Sequence, residues 1–354
     1  MYLNQLQFLR FIGFFFICSL HSSAWTDHWF NISNLGTCSV SFFFILSGFI
    51  SGYKGGGMNT PAITFNVKDW IKEIFSRIKK LYPLYFITMI ITLYYRGGLS
   101  QALIYSDYGQ LHYITKRLIK NVFMIQTWFP EDFFGIYEIS WFISTIMFLY
   151  IIKKPILYLI KKYLKNNLHV FILFISTLAI TFLYCYITKD KDLEYWQYVF
   201  PPSRAGEYIL GICLGLLYYP ISNFISNHNS LKEKTILFTA LEVIIIVAWF
   251  STANALPTFV WQYRIAYWLI PNIILISVFM LGKGYLSKLF SLNPFVTLGN
   301  ISLECYQTHL LVIQGYVIWN GANAVSFYGN IINFSLCLGI TTMIGLYINQ
   351  KRKA

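Results

Sequence analysis

Arg10 and His21 stand in the first apolar stretch of the chain, Leu6–Trp25, a fixed cation and an imidazole among mostly apolar residues. A charge within such a stretch costs about 2.5–3.5 kcal/mol in a bilayer unless it has a partner or a task. Eleven helical residues turn through about 1100°, so His21 returns to within about 20° of the face of Arg10, some 16 Å along the axis. One stripe of one helix then presents a cation at one depth and a proton acceptor at another. The neutral imidazole, the form that burial favours, suits general-base work. A blander account has Arg10 reaching to the headgroups along its apolar stem, with His21 as a hydrogen-bonded packing residue.

Further polar residues interrupt the apolar blocks downstream. The stretch Gly36–Phe49 ends in Phe43-Phe-Ile-Leu-Ser47-Gly-Phe49, and the small residues at 47, 48, 51 and 52 permit close helix approach. Arg77, Lys79 and Lys80 precede Tyr82-Pro83. They can anchor a helix end at the cytoplasmic surface or bind a polyanion, since arginine and lysine suit phosphate. Trp141 and Ser144 open another apolar block. Arg204 and Glu207 are spaced for an i,i+3 pair, for which mutual neutralisation is the simplest reading. Ser302, Glu304, Tyr306 and His309 cluster at the start of a late block.

The elements that must position these groups follow from composition. With 56% hydrophobic and 12% charged residues, the chain lacks the polar surface of a soluble domain. Its apolar blocks have the length, about 17–25 residues, that crosses a hydrocarbon core about 30 Å thick. Unbroken runs such as Phe11–Leu20 and Val243–Phe250 exclude the alternation of a barrel strand, which leaves helices as the way to satisfy the backbone. The reading is an all-α integral membrane protein, a bundle of about ten transmembrane helices near 6–25, 36–53, 77–96, 135–152, 168–188, 204–219, 234–251, 263–282, 300–320 and 328–349. An amphipathic interfacial helix is expected over 110–130. Lys and Arg gather in the loops after spans two, four, six and eight and at the C-terminus. The loops after spans one, seven and nine carry none, so both termini are predicted to be cytoplasmic. The net charge of +13 is thus topogenic in pattern, and nucleic acid is not among the expected partners. The six cysteines lie in apolar segments without metal-ligand spacing, so no metal is expected. Residues 1–354 read as one transmembrane domain with no appended soluble domain.

Taken together and in order, Arg10 with His21, Gly36–Phe49, Arg77 with Tyr82-Pro83, Arg204 with Glu207 and Gly211, and Ser302–Tyr306–His309 resemble acyltransferase family three, membrane-bound O-acyltransferases of surface glycans. The resemblance implies transfer of an acyl group, commonly acetyl, from cytoplasmic acyl-CoA to a sugar hydroxyl of a cell-surface polysaccharide or its lipid-linked precursor. It implies His21 as catalytic base, Arg10 as its essential partner and Arg77 as a contact to donor phosphate. Lys79, Lys80 and Ser47 are assigned with Arg77 to the donor, and Trp141, Arg204, Glu207, Tyr306 and His309 to the acceptor substrate. Many members carry a glutamate in the span-four motif where this chain has Ile146. The expected setting is a bacterial cytoplasmic (inner) membrane. The expected partners are the bilayer, acyl-CoA and a glycan or lipid-linked oligosaccharide, and a homo-oligomer is compatible. The rival is a transporter or exporter of a polysaccharide precursor or organic anion. Against it, Pro201, Pro202, Pro257 and Pro271 are expected at or near span ends, whereas transporters favour helices broken at the midplane.

Overall fold

The structure is a computed structural model that describes residues 3–26, 34–60, 64–95, 108–227, 234–254, 262–320 and 327–352. Helices overlap the expected ranges at α1 (Asn4–His21), α2 (Asn34–Lys54), α3 (Val67–Tyr95), α4 (Tyr108–Val122), α5 (Ser140–Tyr163), α6 (Asn167–Thr188), α7 (Ala205–Asn227), α8 (Thr235–Asn254), α9 (Arg264–Phe279), α12 (Ser302–Asn320) and α13 (Phe327–Lys351), and the short α10 (Tyr285–Phe290) and α11 (Asn293–Asn300) form between two expected spans. No strand forms among the described residues.

Among the described residues, six segments are long and apolar enough to cross a membrane: Asn34–Lys54, Ser140–Tyr163, Asn167–Thr188, Pro201–Asn227, Thr235–Thr252 and Tyr328–Lys351. The others fall short for physical reasons. α1 and α12 carry Arg10, His21, Glu304, Gln307 and His309, α3 begins with a basic cluster, and α9 has only 16 residues. The polar residues that make these helices interesting are what depress their hydropathy.

At the centre stands α2, with 83% of its apolar window buried, against 22% for both α6 and α8. The outer helices turn Phe171, Ile172, Ile180, Ile236, Ile244 and Val247 outward, which is tolerable only against lipid. Against α2 lies α7, at backbone distance. A Cβ on Gly48 would sit 2.0 Å from the Tyr208 carbonyl oxygen, and one on Gly211 would sit 2.0 Å from that of Ile45. Gly52 and Gly215 repeat the contact one turn on, so two small-xxx-small stripes interlock. Ser51 Oγ and Tyr208 Oη, 2.9 Å apart, lock the register.

α1 packs beside α2 and is met at its start by α11, where a Cβ on Gly299 would sit 2.1 Å from the Gln7 carbonyl oxygen. It ends at His21, and the chain turns through Ser22, whose hydroxyl donates to Cys18 O at 2.9 Å, into the short helix Ser23–Thr26. The expected span to residue 25 is therefore interrupted just past the histidine. The amphipathic helix α4 is held to the following loop by Arg117 Nε and Asp132 Oδ1 at 2.6 Å and by Lys120 Nζ and Glu131 Oε1 at 2.8 Å.

One expectation needs correction. Pro271 lies in the interior of α9, not near its end, and Pro83, Pro155 and Pro220 are likewise inside helices. Pro201 and Pro202 do start a 3₁₀ turn ahead of α7, and Pro257 lies outside the described residues. The helices run on through these prolines, because a proline removes one backbone donor and neighbouring helices can shield the carbonyl it exposes.

Candidate active site

The first half of α1, the end of α2 and the middle of α3 converge at one cleft. Arg10 emerges half-buried from α1 and donates from Nη1 to Gln7 Oε1 at 3.2 Å, one turn back. With Ser47, Lys54, Arg77, Lys80 and Tyr150 it lines a cleft of about 200 Å³. The Arg77 guanidinium lies 4.7 Å from the centroid of the Tyr150 ring. No carboxylate forms an ion pair with Arg10, Lys54, Arg77 or Lys80 among the described residues. Glu304, the acid within electrostatic reach of Arg10 and Lys80, is buried and paired with Arg352, which also donates to Lys80 O at 3.1 Å. The cleft therefore keeps a surplus of positive charge and fits an anion.

A narrower cavity of about 50 Å³ shares Arg10, Phe43, Ser47 and Tyr150 with that cleft and extends to Phe142, Ile146, Ser302 and Tyr306. Tyr306 is fixed by donating from Oη to Ile139 O at 2.9 Å. Its ring centroid is 5.7 Å from that of His309, and His309 is 5.2 Å from His21. The sequence separates His21 and His309 by almost the whole chain, and the fold sets them side by side. His309 Nδ1 lies 2.7 Å from Tyr306 O. A carbonyl only accepts, so Nδ1 carries the proton and Nε2 is left with its lone pair. That Nε2 is buried and has no hydrogen-bond partner among the described residues. Two imidazoles thus face each other at the far end of a line that begins at Arg10. The whole line is a run of family-type motifs. The model of family 3 acyltransferases, described as an acyltransferase domain, matches residues 3–349.

The chain belongs to acyltransferase family 3. Its membership and its apolar helices make it an integral membrane protein and an acyltransferase of the general O-acyl class. No curated protein and no solved structure matches it.

Not every residue singled out in the sequence joins this line. Arg10, Ser47, Arg77 and Lys80 line the cleft, Tyr306 the inner cavity, and His309 adjoins His21. Lys79 is exposed and does not line the cleft. Arg204 and Glu207 sit elsewhere, in a fully buried ion pair at 3.0 Å. Arg204 Nε also donates to Tyr198 O at 2.9 Å, and its guanidinium lies over the rings of Phe44 and Tyr198. Trp141 stacks against Tyr198 and Phe44 in the same layer. The rings of Phe44, Phe142 and Tyr306 stand between this layer and His309.

The structure also adds residues. Lys54 closes α2 inside the cleft and was legible only as a basic residue flanking a span. Glu138, in the turn before α5, lies within electrostatic reach of His21. Ile146, at the family's glutamate position, is buried and makes one wall of the inner cavity apolar.

Proposed function

We propose that this acyltransferase takes an acyl group, acetyl in the simplest case, from cytoplasmic acyl-CoA. It passes the group to a sugar hydroxyl of a surface polysaccharide or its lipid-linked precursor, in a bacterial inner membrane crossed by ten helices. The observation that carries this reading is the run from a cationic cleft at Arg10, through the Tyr306 cavity, to the facing imidazoles of His309 and His21. A polyanionic donor is held at the wide mouth by Arg77, Lys80 and Lys54, with Ser47 and Arg10 further in. The thioester reaches inward along the cavity. His21 removes the proton of the acceptor hydroxyl as its oxygen attacks the thioester carbon. The carbon–sulfur bond then breaks, and the imidazolium returns the proton to the leaving thiolate. Arg10, about 16 Å along α1 from His21 and turned back toward Gln7, is assigned to holding charge on the donor in this low-dielectric channel. His309, with Nε2 free to accept, and Tyr306 line the acceptor end. Trp141, Arg204 and Glu207 shape that end from the layer behind it.

The test is to purify His21→Ala and Arg10→Ala in lipid nanodiscs and follow acetyl-CoA consumption together with glycan acylation by mass spectrometry. Loss of a general base lowers turnover by about 10²–10⁴-fold. A stably folded His21→Ala protein with full activity would overturn the assignment.

A further inference from the structure

A second cleft adjoins the cationic one and has no role in the chemistry above. It encloses about 370 Å³, within the range of ligand sites, and is lined by Leu3, Leu6, Phe49, Tyr53 and Tyr219. It shares Gln7, Ile50 and Lys54 with the Arg10 cleft. Its distinctive feature is a column of aromatic rings. Phe49 and Tyr53 lie 6.1 Å apart with planes at 11°, and Tyr53 and Tyr219 lie 5.7 Å apart at 10°. Tyr219 Oη donates to Tyr53 O at 2.7 Å, which fixes its ring edge. Both tyrosines are only half-buried, so the column stops at an open space beside Lys54.

We infer that this cleft seats the adenine base of the donor, stacked on the Tyr53–Tyr219 column, with Lys54 at the junction where the donor's phosphates pass toward Arg77 and Lys80. This rests on acyl-CoA being the donor. The chemistry is complementary part by part. A purine has two flat faces and stacks on aromatic side chains. The anionic phosphates come next along the donor and meet the exposed ammonium of Lys54, which forms no ion pair among the described residues. The uncharged pantetheine arm and thioester follow, and the cavity narrows from about 200 Å³ to about 50 Å³ in that direction. A lipid tail would use the apolar wall and leave Lys54 and the flat ring face without a purpose.

The experiment measures dissociation constants of coenzyme A and of its abasic analogue, which keeps the ribose and all three phosphates and lacks only the adenine, on the full-length protein in nanodiscs. Wild type is expected to bind coenzyme A about tenfold more tightly, the lower part of the range for one stacked base. Tyr219→Leu should erase that preference and leave the affinity for the abasic analogue unchanged, whereas Tyr219→Phe, which keeps the ring, should retain it. Equal affinity of wild type for the two probes overturns the adenine site alone, and so does a Tyr219→Leu variant that weakens both equally. Failure of wild type to bind either probe overturns the donor reading, and the adenine site with it.

Discussion

Arg204 and Glu207 neutralise each other where no water reaches, and that sets what either can do alone. Deleting one partner of a buried pair leaves the other charge uncompensated, at a cost of about 3–5 kcal/mol, while replacing both by apolar residues is often neutral. Arg204→Leu should therefore lower the thermal unfolding midpoint sharply, and the double variant Arg204→Leu/Glu207→Leu should recover most of it. A single variant as stable as wild type would show that the pair does not hold the fold. If the folded double variant acylates its acceptor at the wild-type rate, the assignment of these residues to the substrate falls as well. The i,i+3 spacing made the pair legible in the sequence. What could not be read was that Phe44, Phe142 and Tyr306 would stand between it and His309. The Arg10–His21 stripe was legible because helix periodicity acts within one element. The approach of His309 to His21 depends on how α12 docks against α1, which no local spacing encodes. Lys54 and Tyr219 were hidden for another reason: basic and aromatic residues at helix ends are the ordinary furniture of a membrane interface.

Among the elements, the α2–α7 crossing is where packing leaves least freedom. The atoms facing Gly48 and Gly211 are backbone carbonyls, which cannot swing aside as a side-chain tip can. Gly211→Ala should force the helices apart, at about 1–3 kcal/mol or more, and lower the unfolding midpoint. Gly315→Ala on α12 is the control, because nothing lies within 4 Å of its added methyl and alanine is the better helix former by about 1 kcal/mol. Should both variants melt together, the crossing is not the constraint it looks to be. Since α2 also carries Ser47 and Lys54, separation there should widen the donor cleft, and the affinity for coenzyme A should fall with stability in Gly211→Ala alone. Element existence was readable from hydropathy, and the small residues at 48 and 52 announced a close approach, although not its partner. The rule that charges in apolar segments are functional also has an exception here. Glu242 on α8 is buried, but it accepts from the backbone N–H groups of Gly284 and Leu286 and so caps the short helix α10.

At the scale of the whole molecule, the contacts sort the loops into two ends before any membrane is invoked. Lys161, near the end of α5, donates from Nζ to Gly57 O at 2.9 Å, which ties it to the chain just past Lys54. Arg352 bonds Lys80 O, which brings the C-terminal end of α13 beside the middle of α3. From Asn167 to Thr188, α6 then runs 22 residues, about 33 Å, away from that end. Asp190 in the turn beyond it therefore belongs to the opposite end from Lys351. The end holding the cationic clefts is the basic one, and the proposed reaction requires that end to face the cytoplasm, as the positive-inside rule expects of it. The described cysteines, Cys18, Cys38, Cys185, Cys213, Cys305 and Cys337, are all buried, so the unaltered chain should take up little impermeant maleimide and single introduced cysteines can be read directly. Asp190→Cys should label in intact spheroplasts. Lys351→Cys should label only after the membrane is opened. The reverse pattern would turn the molecule over and place the donor cleft outside the cell, away from any pool of acyl-CoA. The cleft would then need a different anion, and the direction of transfer proposed here could not stand.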